Sequence, residues 1–399
     1  MSVKDFTNED FQKLEKGNEK CKAWLKESGW REEEWPEIPK IEEIEGEGLA
    51  EAFAIMGLEK YLGNADKARR IAYFPQIKMT QDSAKTIAYV RFSKDLKKDI
   101  CIVKGKITST KDMKGMDKFI EKLRDWTGLK THFLLISDTI EKVKAEGKGL
   151  GTSASAAGAI ATTFSQAIFP KLLENRRFLS VFARHFSGSG TSSVAGGLST
   201  WLSHKGARDE DSYAVRFDEG DVNIRVVTIP IPSKIKTEEA HEVAEASEWY
   251  RDWALKKPEK CIKLMEAVKK NDLKEIGRIA ELDSINLFHL FVSGGQMFNW
   301  EPETLEIFRK ICLMRKEKDI KAFACMDTGP SIAIITTKEE SNIIKGEIEK
   351  YLKEIGKSWP VYFTEMAGAP RVLPIEQKKI LMTEEVKKIL EEKGIEIWR

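Results

Sequence analysis

The feature that most constrains this chain is its densest run of small residues, which spans 147–158 and has the sequence GKGLGTSASAAG. Three glycines at a spacing of two precede the hydroxyl residues Thr152, Ser153 and Ser155, and an apolar run over 159–169 follows. Glycine lets the backbone turn and approach a ligand closely, and Ser and Thr favour helix N-caps. Because the first N–H groups of a helix lack internal partners and carry partial positive charge, the pattern predicts a phosphate-binding loop. The alternative is a tight loop shaped only by packing, and the spacing matches neither the Walker pattern nor the dinucleotide fingerprint.

A second Gly/Ser cluster spans 186–197 and has the sequence FSGSGTSSVAGG. A predicted helix over 178–185 precedes it, and a predicted strand over 198–202 follows. Backbone N–H groups and hydroxyls in such a loop can hold a second anion. The alternative is a flexible connection. The presence of two candidate phosphate-binding loops in one domain favours an anion-binding role over that alternative.

Composition excludes several classes of protein. The 399 residues carry a net charge of only +2, which argues against a general nucleic-acid or membrane-surface binder. Five cysteines are scattered singly without a CxxC pair, so we expect free thiols and no zinc site. No run has the length of a membrane span, and the N-terminus lacks an apolar signal core. We therefore expect a cytoplasmic protein.

The chain divides into three segments that differ in their predicted secondary structure. Residues 1–45 form a predicted arm, with an amphipathic helix over 8–29 and a linker rich in Trp and Pro. Residues 46–221 form a strand-rich unit, with strands expected over 71–74, 85–92, 99–103 and 131–137. In 222–399, long helices alternate with strands, including a single helix over 237–256. The predicted class is α+β, with the chemistry in the cleft between the two larger units.

Several motifs, in this order along the chain, resemble those of one family. For each segment, the sequence of this chain is given first and the family motif second. The segments are 149–156 (GLGTSASA; GLASSASA), 184–190 (RHFSGSG; RxGSGSA), 196–201 (GGLSTW; GGFxxW), 212–215, 283–289 (DSINLFH; DSNxFH) and 326–331 (MDTGPS; MDAGPN). Together they resemble the GHMP kinase superfamily and, within it, the diphosphomevalonate decarboxylase branch. The resemblance covers about 46 to 340.

This resemblance implies a fold and a reaction. The implied fold has an N-terminal domain like domain 2 of ribosomal protein S5 and a C-terminal α+β domain, with the active site between them. Relatives are often homodimers, so a homodimer is expected. The reaction removes CO2 from a mevalonate derivative whose C3 oxygen is phosphorylated, so that phosphate leaves and an alkene forms. Asp327 is implied as the catalytic aspartate. By itself Asp-Thr-Gly-Pro is also good turn chemistry, so a structural Asx turn is the alternative.

Two departures from the family pattern bear on the substrate. The family arginine that faces the substrate carboxylate is replaced by Ser192. The family element NIAxIKYWGK is poorly kept: 60–64 can be aligned with KYWGK, which makes Lys60 a catalytic candidate, but an ungapped alignment places Gly57 at the first lysine. Both departures favour an archaeal sub-branch that converts mevalonate 3,5-bisphosphate to isopentenyl phosphate without ATP. The alternatives are an ATP- and Mg²⁺-dependent diphosphomevalonate decarboxylase, a GHMP kinase and a non-catalytic binding protein.

The resulting site prediction contains no metal ligand. Lys60 and Asp327 are the catalytic candidates. Substrate and phosphate contacts are predicted at Gly149, Gly151, Thr152, Ser153, Ala154, Ser155, Ser187, Gly188, Ser189, Gly190, Thr191, Ser192, Ser193, Ser233 and Lys234. The last two follow a strand near the expected cleft, and an exposed basic loop is the alternative there. The expected partner is a phosphorylated mevalonate, with no nucleic acid and no membrane.

Overall fold

The protein is described from a computed structural model, which covers residues 6–113, 115–144, 151–220, 222–232 and 237–396. The predictions for Gly149, Ser233 and Lys234 lie outside these residues. Within them, no helix is both long enough and apolar enough to cross a membrane.

The N-terminal arm begins with α1 (Asn8–Glu27), whose N-terminus is closed by a capping box between Thr7 and Asp10. Cys21 and Leu25 are buried in an apolar cluster that α1 shares with both larger units. The following segment over 30–45 is extended, and Trp35 packs against aromatic side chains of the next unit. The arm is therefore part of the packed body, fixed by its apolar side chains.

The first sheet is built around two long antiparallel strands, β1 (Gly46–Glu59) and β2 (Gln76–Ser93). Its elements are β1 (Gly46–Glu59), β2 (Gln76–Ser93), β3 (Ile100–Val103), β4 (Lys106–Thr108), α2 (Met116–Thr127), β5 (His132–Glu141), α3 (Thr152–Ile168), α4 (Arg176–Phe186), α5 (Gly190–Ala195), β6 (Leu198–Leu202) and β7 (Tyr213–Arg216). In the described residues β1 pairs with β2, β2 with β5, and β5 with β3, while β6 joins β2 to β7. Helix α3 packs against this sheet through small side chains and Phe164, which forms one large core.

A second, four-stranded sheet occupies the C-terminal half, with strand order β11-β8-β10-β9. Its elements are β8 (Arg225–Ile229), α6 (Thr237–Ala246), α7 (Tyr250–Leu255), α8 (Lys257–Lys269), α9 (Leu273–Gly295), α10 (Pro302–Lys318), β9 (Phe323–Cys325), β10 (Ile332–Thr336), α11 (Ser341–Glu354) and β11 (Tyr362–Glu365). Branched apolar residues of β8 and β10 pack against α10 and α11. The whole is α+β, as the sequence predicted.

The end of the chain returns to the first sheet. Strand β12 (Arg371–Val372) pairs with β1, and α12 (Glu384–Glu392) follows it. Leu381, Val386 and Leu390 pack with Leu49 and Ile136 of the first sheet. A division of the chain at 221/222 therefore leaves the final segment in contact with the N-terminal unit.

Three local expectations were wrong. Residues 71–74 contain only an isolated bridge between Ile71 and Asp66. The helix expected over 237–256 is interrupted at 247–249, where the Ser247 hydroxyl accepts a hydrogen bond from Trp249 N. The second Gly/Ser cluster, expected as a loop, contains the short helix α5. In each case hydrogen bonds from side chains, or packing against the rest of the fold, override the secondary structure that the local sequence predicts.

Candidate active site

The two predicted catalytic residues meet where β1 ends. Lys60 directly follows β1, and Asp327 lies in the turn between β9 and β10. Lys60 Nζ lies 2.8 Å from Asp327 Oδ1 and 2.6 Å from the carbonyl oxygen of Gly57. The other carboxylate oxygen, Oδ2, accepts a longer hydrogen bond of 3.4 Å from Gly57 N. The structure thus brings together residues that are 267 positions apart in sequence.

Lys60 is a buried but fully paired cation. Its side chain is 3% exposed, whereas that of Asp327 is 20% exposed and so faces the opening of the site. Burial by itself lowers the pKa of Lys60, but the Asp327 carboxylate and the Cys325 thiol oppose burial, and the net shift is upward. Lys60 therefore remains an ammonium ion at neutral pH.

A second buried ionic network holds the backbone of Lys60 in place. Asp283 Oδ2 accepts a hydrogen bond of 2.7 Å from Lys60 N and one of 2.6 Å from Lys257 Nζ, and Lys257 also pairs with Glu59. Trp253 Nε1 donates to the other Asp283 oxygen at 2.8 Å. Burial, reinforced by the nearby Asp283 charge, raises the pKa of Glu59 to about 7. Asp283 therefore positions the backbone of Lys60, whose side chain pairs with Asp327.

The first Gly/Ser loop leads into α3 through a glycine that no other residue could replace without strain. Gly151 has φ of +64°, and a Cβ at this position would collide with the Ile55 carbonyl oxygen on β1. Thr152 is half-buried and Ser153 is exposed at the start of the helix. The first turn of α3 thus presents N–H groups and hydroxyls beside the strand that leads to Lys60.

Two other predicted contacts in this loop are buried. Ala154 is covered, and the Ser155 hydroxyl is held between the Thr152 carbonyl oxygen at 2.7 Å and the Thr86 hydroxyl at 2.8 Å. Both residues serve the packing of the helix start in this structure.

The second Gly/Ser loop packs directly against the first. A Cβ at Gly190 would lie 2.6 Å from the Ala157 side chain, and one at Gly158 would lie 2.7 Å from the Ser193 hydroxyl. Ser193 Oγ in turn donates to the Phe53 carbonyl oxygen of β1 at 2.8 Å. Small residues therefore allow α3, α5 and β1 to converge on one point.

The predicted contacts of the second loop divide by exposure. Ser187 and Ser189 are half-buried at the surface of the site. Gly188, Gly190, Thr191, Ser192 and Ser193 are buried. The Thr191 hydroxyl donates back to the Gly188 carbonyl oxygen at 2.8 Å, which shapes the turn. Ser189 is the member of this loop whose hydroxyl meets a charged side chain.

That charged side chain is Lys78, which the sequence analysis missed. Lys78 lies on β2 directly opposite Gly57 of β1, and its Nζ donates to Ser189 Oγ at 3.2 Å. It also lies over the rings of Tyr61 at 5.0 Å and Trp201 at 5.1 Å. Burial lowers the pKa of Lys78 to about 7, although Asp327 partly opposes the shift.

A sequence signal for Lys78 did exist. The lysine interrupts an otherwise uncharged run over 71–80, in the segment Pro-Gln-Ile-Lys-Met-Thr. Lysine is almost never fully buried unless it is paired. A lone lysine in such a run was therefore a candidate for a functional cation.

Across the described part of the chain, no cluster of three or more His, Cys, Asp or Glu residues could hold a metal ion.

Comparisons with known proteins identify the relatives of this chain. Residues 52–214 match the family model of the diphosphomevalonate decarboxylase-like N-terminal domain. A mevalonate 3,5-bisphosphate decarboxylase of Thermoplasma acidophilum is 28% identical over 331 residues, which cover 82% of this chain and 79% of that protein. A phosphomevalonate decarboxylase of Haloferax volcanii is 27% identical over 73% of this chain and 88% of its own length.

The fold has a counterpart among solved structures. The crystal structure of mevalonate diphosphate decarboxylase from Staphylococcus aureus aligns with a TM-score of 0.74. The alignment covers 83% of this chain and 99% of that one, at 24% identity. The likeness shows a shared fold.

Proposed function

We propose that the chain decarboxylates a phosphorylated mevalonate, because residues 52–214 match the diphosphomevalonate decarboxylase-like N-terminal domain and a mevalonate 3,5-bisphosphate decarboxylase is similar to 82% of the chain. The substrate is mevalonate 3,5-bisphosphate, and the products are isopentenyl phosphate, CO2 and phosphate. The observation that carries the proposal is the ion pair of Lys60 and Asp327 beside the two Gly/Ser loops. Similarity to archaeal decarboxylases along four fifths of the chain supports it.

The chemistry sets three requirements for such a site. The C3–O bond breaks and its electron pair leaves with the phosphate, so positive charge develops at C3. The bond to the carboxylate carbon then breaks, and its electron pair forms the new C=C bond as CO2 leaves. The protein must hold the C5 phosphate, stabilise the departing phosphate and oppose the charge at C3.

The residues of the site meet these requirements in separate places. Asp327 supplies a carboxylate that is partly exposed and fixed by Lys60, which suits a fixed negative charge opposite C3. The first turn of α3 and the Ser187–Ser189 segment supply N–H groups and hydroxyls for two phosphates. Both segments pack against β1, the strand that leads to Lys60, which supports a shared site.

Nucleotide is not required if the leaving phosphate is already on the substrate. The start of α3 nevertheless fits a phosphate, because Gly151 keeps the backbone free of a Cβ there. In an ATP-dependent enzyme this turn would hold the triphosphate, and ATP would supply the phosphoryl group for the C3 oxygen. In the proposed reaction, the same N–H groups hold the substrate's own 3-phosphate.

Measurement of CO2 release tests the proposal. We expect release from mevalonate 3,5-bisphosphate at the same rate with and without ATP and Mg²⁺. No release under either condition would refute it. Release only with ATP, from mevalonate 5-phosphate or mevalonate 5-diphosphate, would instead assign the ATP-dependent reaction.

The proposal extends to organisation and assembly. The domain division at 45/46 and 221/222 and a homodimer remain predictions. Sedimentation of the purified protein tests the dimer, and limited proteolysis near 221 tests the boundary.

A further inference from the structure

Lys78 is a buried cation without an anionic partner among the described residues. Its side chain is 2% exposed, and its one hydrogen bond goes to the neutral hydroxyl of Ser189. An ammonium group has three N–H donors, so two remain available. The two other buried lysines near the site, Lys60 and Lys257, are each paired with a carboxylate.

The aromatic surroundings of Lys78 fix its position without neutralising its charge. The rings of Tyr61 and Trp201 lie about equally far from Nζ, and they meet each other edge-on at 5.0 Å. Ring faces attract a cation, but they cannot satisfy its remaining N–H donors. The side chain is thus held in one place with its charge uncompensated, which is costly in a protein with no use for it.

Lys78 is part of the wall of the candidate site. It is the cross-strand partner of Gly57, whose own N–H and carbonyl groups contact Asp327 and Lys60. On its other side, Ser189 belongs to the second Gly/Ser loop and is half-buried at the surface of the site. The ammonium group therefore lies between the catalytic carboxylate and the substrate loop.

The second Gly/Ser loop itself carries no cation near this point. Position 192, where the related motif has arginine, is a buried serine whose hydroxyl has no hydrogen-bond partner in the described part of the protein. The Ser192 backbone carbonyl oxygen accepts a hydrogen bond from Thr80, two residues from Lys78 on the same strand. Strand β2 thus lies against the loop position that lacks a charge.

We propose that Lys78 binds the carboxylate of the substrate and so takes over the task of the missing loop arginine. This inference rests on the proposed function, since a mevalonate derivative carries a carboxylate as well as its phosphates. The two Gly/Ser loops serve the phosphates, and Lys78 serves the third anionic group. It is a substrate-binding residue that orients the group to be lost as CO2.

Three ligands separate this role from others. Mevalonate 5-phosphate has a carboxylate but no 3-phosphate, mevalonate 3,5-bisphosphate has both, and isopentenyl phosphate has neither. Binding is measured by calorimetry for wild type, Lys78→Met and the control Lys85→Met, with the bisphosphate at a temperature where its turnover is negligible. Lys85 lies on the same strand, and its charge is paired with the Glu51 carboxylate.

We expect Lys78→Met to weaken binding of mevalonate 5-phosphate and of the bisphosphate by a similar factor, about 10- to 100-fold. Binding of isopentenyl phosphate should not change, and Lys78→Arg should restore part of the loss. Lys85→Met should bind all three ligands like wild type. Melting curves of each variant establish that it is folded.

Other results would overturn the inference. A loss confined to the bisphosphate would assign Lys78 to the 3-phosphate, and an equal loss for all three ligands would assign it to the C5 phosphate or to general architecture. Unchanged binding would remove it from the site. If wild type shows the expected binding but releases no CO2, the proposed function fails while the carboxylate assignment stands.

Discussion

Replacing Lys78 with methionine should stabilise the ligand-free protein. Methionine keeps most of the side-chain volume beside Tyr61 and Trp201 but removes the buried charge. Burial lowers the pKa of this lysine from 10.5 to about 7. At about 1.4 kcal/mol for each pKa unit, the penalty on the charged form is of order 5 kcal/mol. Since the protein can relax around a charge, we expect a gain of about 2–5 kcal/mol in the free energy of unfolding below pH 7.

The gain should depend on pH in a defined direction. Between about pH 7 and 10.5 the unfolded lysine keeps its proton while the folded one has released it, so the unfolded state binds more protons. The unfolding free energy of wild type therefore rises with pH across this window, relative to that of Lys78→Met. The stability difference should be largest at pH 6, fall steadily as the pH rises from about 7, and vanish only above about pH 10.5.

Chemical denaturation followed by tryptophan fluorescence at pH 6, 7.5 and 9 measures this difference. Lys85→Met, whose lysine is partly exposed and ion-paired, provides the control without a pH-dependent gain. The main charged group acting on Lys78 is Asp327, and the Tyr61 phenol stays neutral because burial raises its pKa. A stability difference that is constant over this pH range, or a loss of stability at pH 6, would refute the argument from burial.

Three further changes test the catalytic pair and its supports. Asp327→Asn should lower kcat for CO2 release by at least about 100-fold while circular dichroism shows an intact fold, since the fixed charge opposite C3 is lost; near wild-type turnover would contradict this. Gly151→Ala should lower the melting temperature and weaken the binding of phosphate ligands, because the new Cβ would collide with the Ile55 carbonyl oxygen of β1. Unchanged affinity for these ligands by calorimetry would count against an anion site at the start of α3. Lys257→Met should cost about 3–5 kcal/mol of unfolding free energy, because it removes the buried ammonium group that pairs with both Asp283 and Glu59. The loss should shrink as pH falls and the carboxylates become protonated.

The sequence was most informative about short segments whose local composition is strongly biased. The local composition located both Gly/Ser segments, because tight turns and close packing leave few residue types possible, but it did not predict that the second segment contains α5. Gly151 illustrates this: its positive φ and its contact with β1 both require glycine. The end of β6 at Leu202 also agrees with the predicted boundary. The Ser/Thr N-cap expected ahead of α3 was wrong, because the helix already begins at Thr152 and its N-cap is Gly151, which has no side chain to accept a hydrogen bond.

Long-range pairings could not be predicted in the same way. The chain departs from the family element around Lys60, so alignment left either Lys60 or Gly57 at the catalytic position. In the structure, Lys60 supplies the ammonium group beside Asp327, and the backbone of Gly57 contacts both Asp327 and the Lys60 side chain. The spacing of residues in sequence contains no information about such a contact between strands of different sheets.

Three buried lysines around this site show that nearby carboxylates, and not burial alone, decide the direction in which the pKa of a lysine shifts. Lys60, Lys78 and Lys257 are all nearly inaccessible, and burial lowers the pKa of each. In two of them nearby carboxylates more than compensate, and the net pKa is raised. For Lys78 the Asp327 carboxylate opposes burial only in part and the net pKa is lowered, so the charge of Lys78 reduces stability in the free protein. An apolar side chain of equal size would serve the fold better at that position, and a stability cost of this kind is typical of residues kept for binding or catalysis. The position of Lys78 between Ser189 and the strand that carries Gly57 therefore supports the proposal that an anionic group of the substrate is its partner.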